Sequence, residues 1–178
     1  MDLIAALSDL CKSTPQAIIA IDGPAGAGKT TLAHDIKLAL AQSYSITEIH
    51  MDDLYDGWDN ALTTHLSDVL THLVDAHKKS LPISISHYDW HAQVFKPATE
   101  LEKSELMILE GVGSGQRAIR DSLTALIWID IEDEQGLARV LQRDGIDIEN
   151  QMRKWLATQE QHFLAEGTQN AADFVLTN

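Results

Sequence analysis

The sequence predicts an α/β fold of three layers, with helices on both faces of a mainly parallel, five-stranded sheet. Three observations carry that expectation. Apolar runs of strand length recur along the chain, at 17–21, 45–50, 106–110, 123–131 and 172–178. The segments between them repeat apolar residues every three or four positions, as helices that cover a sheet must. A glycine-rich turn at 23–28 joins the first run directly to a helical one.

Taken in order, residues 2–12 read as a helix with Leu3, Ala6, Leu7 and Leu10 in one stripe, Cys11 packing beneath it and Pro15 ending it. The strand at 17–21 leads into the turn. A helix from Lys29 to about Gln42 follows, with Leu32, Ile36 and Leu40 one turn apart. The strand at 45–50 runs into an acidic loop. Leu62, Leu66, Val69, Leu70, Leu73 and Val74 then trace a helix, for which Asp59 or Asn60 is the expected N-cap. Residues 82–90 alternate well enough to read as a strand or extended segment. The strand at 106–110 is followed by Gly113 and Gly115, a flexible loop opening the next helix. After the strand at 123–131 come helices at 136–143 and 149–165, the second carrying Met152, Trp155, Leu156 and Phe163 on one side. The tail at 172–178 is a final edge strand. With no repeat, low-complexity segment or linker, residues 1–178 form one domain.

Composition narrows the partners. A formal net charge of −14, with 13 Lys and Arg against 27 Asp and Glu, argues against nucleic acid, whose phosphates need clustered cations. The expected partner is a small anion held in one locally positive pocket. The first residues lack the basic region of a secretory signal, and no run reaches the ~20 apolar residues of a membrane helix. One cysteine excludes an intramolecular disulfide. These features point to the cytoplasm and away from membranes, and nothing indicates an oligomer.

Five stretches carry chemistry. Gly23, Gly28, Lys29 and Thr30 satisfy G-x-x-x-x-G-K-[ST], in which glycines let successive N–H groups converge on a phosphate at a helix N-terminus. Lys29 adds a point charge on the β- and γ-phosphates, and the Thr30 hydroxyl ligates Mg²⁺. Asp52, Asp53, Asp56 and Asp59 cluster with Tyr55 and Trp58 just past a strand's carboxyl end, where ligands of open α/β sheets sit. A carboxylate there can accept a proton from an attacking hydroxyl, and either Asp52 or Asp53 could serve. His87, Tyr88, Asp89, Trp90 and His91 form a second polar and aromatic group. It lacks the framework of a metal site and suits the wall of a pocket for a planar ligand. Glu110 ends an apolar strand, the Walker B arrangement that sets an acid beside the phosphate loop. Arg139 and Arg143, at i and i+4, suit charge on a transferring phosphoryl group, unless Glu132, Asp133 and Glu134 claim them.

On these residues the chain resembles the P-loop small-molecule kinases of the uridine kinase and phosphoribulokinase group, over most of its length. GPAGAGKTTLA at 23–33 carries the likeness most strongly, followed by MDDLY at 51–55, HYDW at 87–90, MILEG at 107–111 and LARVLQRD at 137–144. The resemblance implies a P-loop NTPase fold with a lid at about 139–150, and transfer of the γ-phosphoryl of ATP, with Mg²⁺, to a hydroxyl of a small metabolite. It implies catalytic roles for Lys29, Asp52, Arg139 and Arg143, and nucleotide binding by Gly23, Pro24, Ala25, Gly26, Ala27, Gly28, Lys29, Thr30 and Thr31. Asp52, Tyr55, Tyr88 and Trp90 fall on the acceptor pocket, and Thr30 and Glu110 on the metal-proximal positions. The uridine kinases carry a His and an Arg where this chain has Gln93 and Phe95, and further lid arginines where it has Gly145, Ile146 and Asp147. DLYDGWD resembles a motif of uridine kinase-like bacterial members. A nucleoside such as uridine is the first expectation for the acceptor. A sugar, a sugar phosphate or a vitamin precursor is the alternative, as is an ATP-driven switch acting on a protein partner.

Overall fold

Burial on both faces forces the apolar runs to pair side by side. In chain order the computed structural model, which describes residues 2–177, has helix α1 (Leu3–Lys12), strand β1 (Ala17–Asp22), helix α2 (Lys29–Leu40), strand β2 (Ile46–His50) and helix α3 (Thr64–Lys78). Short strands β3 (Ile83–Ile85), β4 (Tyr88–Asp89), β5 (Val94–Phe95) and β6 (Thr99–Leu101) precede β7 (Leu106–Glu110). Helix α4 (Arg117–Arg120), strand β8 (Ala125–Asp130), helices α5 (Asp133–Asp144), α6 (Glu149–Glu166) and α7 (Thr168–Ala171), and strand β9 (Phe174–Thr177) complete the chain. The main sheet has the order β2-β7-β1-β8-β9, and all four pairings are parallel. The expected architecture is therefore present, with β9 as its edge. Met1 and Asn178 lie outside the described residues.

β1 sits at the centre and is buried at every position, as a strand covered on both faces must be. Ile18 and Ala20 face a core built with α3, α5 and α6, through Leu70, Leu137 and Trp155. Ala17, Ile19 and Ile21 face the opposite core, where Leu7 and Cys11 of α1 meet Ala33 and Ile36 of α2. Those two cores are the gaps between three layers.

Four local expectations change. Helix α3 begins at Thr64 with Thr63 as N-cap, not with Asp59 or Asn60. The preceding residues instead turn Ala61 inward, with Trp58 and Leu62 packed on the core, and that burial outweighs the capping preference. The extended run at 82–90 is broken into β3 and β4, which pair antiparallel with β6 and β5 in two separate hairpins outside the main sheet. The helix expected at 136–143 starts at Asp133, because the Glu132 side chain accepts the Gln135 N–H at its N-terminus. The loop at 112–116 is buried throughout rather than flexible.

That loop is held by Asp22, the last residue of β1. Its carboxylate accepts the N–H groups of Gly23 at 2.8 Å, Gly113 at 3.1 Å and Gly115 at 2.9 Å, and it is wholly buried. Burial pushes the carboxyl pKa up, while those N–H groups and the Lys29 cation oppose the rise. Removing the acceptor strands three buried donors. Asp22→Ala should cost at least about 3 kcal/mol in chemical denaturation, and Asp22→Asn, which keeps one oxygen, distinctly less.

Candidate active site

The phosphate loop hangs from the carboxyl end of β1 and opens α2. Gly28, with φ of 95°, is the left-handed N-cap of that helix. Gly26, with φ of 77°, lies so close to α5 that a Cβ would stand 2.3 Å from the Gly136 carbonyl oxygen. Lys29 is buried in the loop and donates to the carbonyls of Gly23 at 2.8 Å and Pro24 at 2.7 Å. Burial lowers its pKa, and the charges of Asp22, Glu110 and Asp52 hold it up. The ammonium thus sits among acids that oppose this fall.

β7 brings Glu110 beside the loop because it pairs directly with β1. The Thr30 hydroxyl donates to Glu110 Oε1 at 3.2 Å, and His50 Nδ1 lies 2.5 Å from the same oxygen. His50 ends β2, in register opposite Glu110. The hydrogen bond to Glu110 raises the His50 pKa, against a smaller opposing effect of burial.

Past β2 the chain makes one turn of 3₁₀ helix, Met51–Asp53. Asp52 points into the cleft, where water reaches it although protein surrounds it on most sides. That confinement raises its pKa, with Glu110 adding to the rise and Lys29 and Arg143 opposing it. Asp53 turns the other way, onto His87 at 3.3 Å. The indole N–H of Trp90 donates to the Asp52 carbonyl at 3.0 Å, fixing the turn.

Lys29, Thr30, Asp52, Trp90 and Glu110 line one cleft of about 390 Å³. At one end stand Lys29, Thr30, Arg139 and Arg143; at the other, Tyr55, Trp58, Trp90 and Trp155 form an aromatic wall. Trp58 touches Trp90 and Trp155, with ring centres 5.2 and 5.8 Å apart, and Tyr55 packs on Trp155 at 5.4 Å. The Tyr55 hydroxyl is buried and donates to the Val112 carbonyl at 2.7 Å. Tyr88 packs behind the wall, on Trp90 and Phe95. Arg139 reaches the Gly26 carbonyl at 3.4 Å and Arg143 pairs with Asp144, so Arg153 rather than either of them takes Glu134.

Thr30, Thr31, Ala25, Gly26 and Gly28 line the cleft with Lys29, while Gly23, Pro24 and Ala27 are buried outside its lining, and the Ala27 N–H donates to the Pro24 carbonyl. Sequence reasoning read Trp155 only as part of a helix's apolar face and did not single out His50 or Gln159, whose side chain accepts the Ala25 N–H. A histidine opposite a Walker B acid in register is a usable signal, whereas nothing local marks Gln159. Trp58 was visible only as an aromatic among acids.

A parallel sheet whose central strand feeds a Gly-rich loop, with an acid on the neighbouring strand and arginines on a following helix, defines a P-loop kinase. The chain belongs to the phosphoribulokinase / uridine kinase family, which it matches over residues 18–174. It is 28% identical to a uridine kinase of Lactobacillus johnsonii, across 89% of this chain and 85% of that protein. It is 26% identical to a uridine kinase of Halobacterium salinarum, across 91% of this chain and 80% of that one. The fold is shared with a solved structure described as a possible uridine kinase from Bacillus stearothermophilus, with TM-score 0.70, 22% identity, and 99% and 100% of the two chains covered. The protein is accordingly an ATP-using phosphotransferase for a small molecule. Among the described residues no helix is long and apolar enough to cross a membrane.

Two outcomes follow from the geometry. Lys29→Ala should abolish the rise in thermal midpoint that Mg-ATP gives the wild type; an undiminished rise would place the nucleotide elsewhere. The raised pKa of His50 means that its ion pair with Glu110 is fully present below about pH 6.5 and is lost as pH climbs through the higher folded value. The thermal midpoint of wild type should therefore fall over that alkaline-going interval, and His50→Gln should remove this component.

Proposed function

We infer that the chain transfers the γ-phosphoryl of ATP to a hydroxyl of an unphosphorylated, flat-faced metabolite, with a nucleoside such as uridine as the first candidate. The observation that carries this reading is the division of the cleft. Its cations gather at the phosphate loop, and its far end offers aromatic faces with the Asp52 carboxylate between. Stacking faces suit a base, while a sugar phosphate would need cations there. The nearby basic groups are engaged, Lys96 with Asp89 at 3.1 Å and His87 with Asp53.

Asp52 is the base in this reading. Its carboxylate takes the proton of the acceptor hydroxyl as that oxygen forms a bond to the γ-phosphorus, and the bond from phosphorus to the β,γ-bridging oxygen breaks to leave ADP. Asp53, already turned to His87, lies outside the cleft lining, which favours Asp52 over it. Lys29 holds the phosphates; Arg139 and Arg143, both on the exposed face of α5, can swing over the transferring group.

The donor set fits Mg²⁺. Thr30 and Glu110 present hard oxygens side by side, and no group of three or more His, Cys, Asp or Glu among the described residues forms a metal cage. An ion that takes its remaining ligands from phosphate and water suits such a site. When bound, it would neutralise charge on the phosphates.

The test is ADP release from Mg-ATP across nucleosides, sugars, sugar phosphates and vitamin precursors. One unphosphorylated planar acceptor should stand out, and a preference for a sugar phosphate, or indifference to every acceptor, would overturn the reading. With that acceptor, Asp52→Asn should lower kcat about a hundredfold or more while leaving Mg-ATP binding intact. Because the Asp52 pKa is raised, the acid limb of the wild-type rate should lie above the ordinary carboxylate value of about 4.

A further inference from the structure

Helix α6 touches both ends of the cleft. Met152, Trp155 and Gln159 are its buried residues, and they share one face at i, i+3 and i+7. Met152 and Trp155 line the aromatic end. Gln159, about 6 Å beyond Trp155 along the helix, is only 2% exposed and places Oε1 3.0 Å from the Ala25 nitrogen, in the phosphate loop.

Several other groups of the loop are already held. The Gly23 N–H goes to Asp22, the Ala27 N–H to the Pro24 carbonyl, and the Gly23 and Pro24 carbonyls to Lys29. Gly26 is pressed against Gly136, and its carbonyl accepts from Arg139. Ala25 lies between these two anchored parts. Without a side-chain oxygen behind it, its N–H would be left to water or would have to turn with the Pro24–Ala25 peptide, disturbing a loop that the left-handed Gly26 shapes.

We propose that Gln159 is a positioning residue for the phosphate loop: by accepting the Ala25 N–H it holds the loop in its phosphate-binding shape. This rests on the reading of that loop as the nucleotide site. It also makes α6 a rigid link, with the acceptor wall and the phosphate loop on one helix.

The loop role is tested with Mg-ADP, by calorimetry on the full chain. Gln159→Leu and Gln159→Met fill the space without an acceptor oxygen, and Gln159→Glu keeps one. Both apolar variants should bind Mg-ADP about tenfold more weakly than wild type, and Gln159→Glu should stay within about threefold. Apolar variants that are folded and bind as wild type, or three variants weakened alike, would overturn the role of the oxygen. Should neither apolar variant fold, amide exchange of Ala25 in the wild type decides. Protection supports the bond, and exchange as fast as that of an exposed loop rejects it. Lys29→Ala separates the two levels. Loss of binding there with unaltered binding in the Gln159 variants rejects only the positioning role, whereas a wild type that does not bind Mg-ADP rejects the nucleotide site and the proposal together.

Discussion

A carboxylate with no access to water organises the functional edge of this molecule. Asp22 ends the central strand at the point where two loops must converge, one carrying the phosphate-binding glycines and one following the Walker B strand. Three backbone donors in a dry interior would each be costly to leave unpaired, and a single side chain satisfies them together. The adjoining ammonium of Lys29 offsets part of the cost of burying the acid. The Lys29 cation and the Asp22 anion are thereby interdependent, so the glycine-rich loop is fixed by the same charges that stabilise the core beneath it.

From that anchor the cleft is built outward by register. β7 lies next to β1 and β2 next to β7, so Glu110 and His50 arrive opposite one another at the strand ends. Thr30, at the start of α2, meets the same carboxylate. The opposite wall comes from parts of the chain with no sheet register. The Asp52 turn is tied to the β4–β5 hairpin by an indole N–H, and α6 closes the side with Trp155. A polar end and an aromatic end thus have separate structural origins, which lets the aromatic end vary while the polar end stays fixed.

Much of this was legible in the sequence wherever a short stretch must do one thing. The glycine spacing before Lys29, the buried strand ending in Glu110 and the acids after β2 each reflect a local requirement, and the alternation of strands and helices set the architecture. What escaped depends on distant partners. Asp59 and Asn60 have the chemistry of an N-cap, but inward packing of Ala61 and of the side chains around it delays α3 to Thr64. Gly113 and Gly115 have the composition of a mobile loop, yet Asp22, ninety-one residues before the first of them, immobilises both. Gln159 reads as an ordinary helical glutamine because its partner is a backbone N–H at a sequence separation of 134.

The strand order has a consequence for how the molecule comes into being. β1 pairs with neither of the strands closest to it along the chain, since Ala17 lies opposite Leu106 and Ile19 opposite Ala125. During synthesis the glycine-rich motif emerges early and waits, because both flanking strands, the carbonyl that packs on Gly23 and the helix that abuts Gly26 are all encoded after residue 105. Closing such long loops is slow, so the chain must travel most of its length as a nascent intermediate with exposed strand edges. Affinity for a triphosphate therefore belongs to the completed sheet, and a fragment bearing the whole motif but ending before β8 would carry the signature without the binding site.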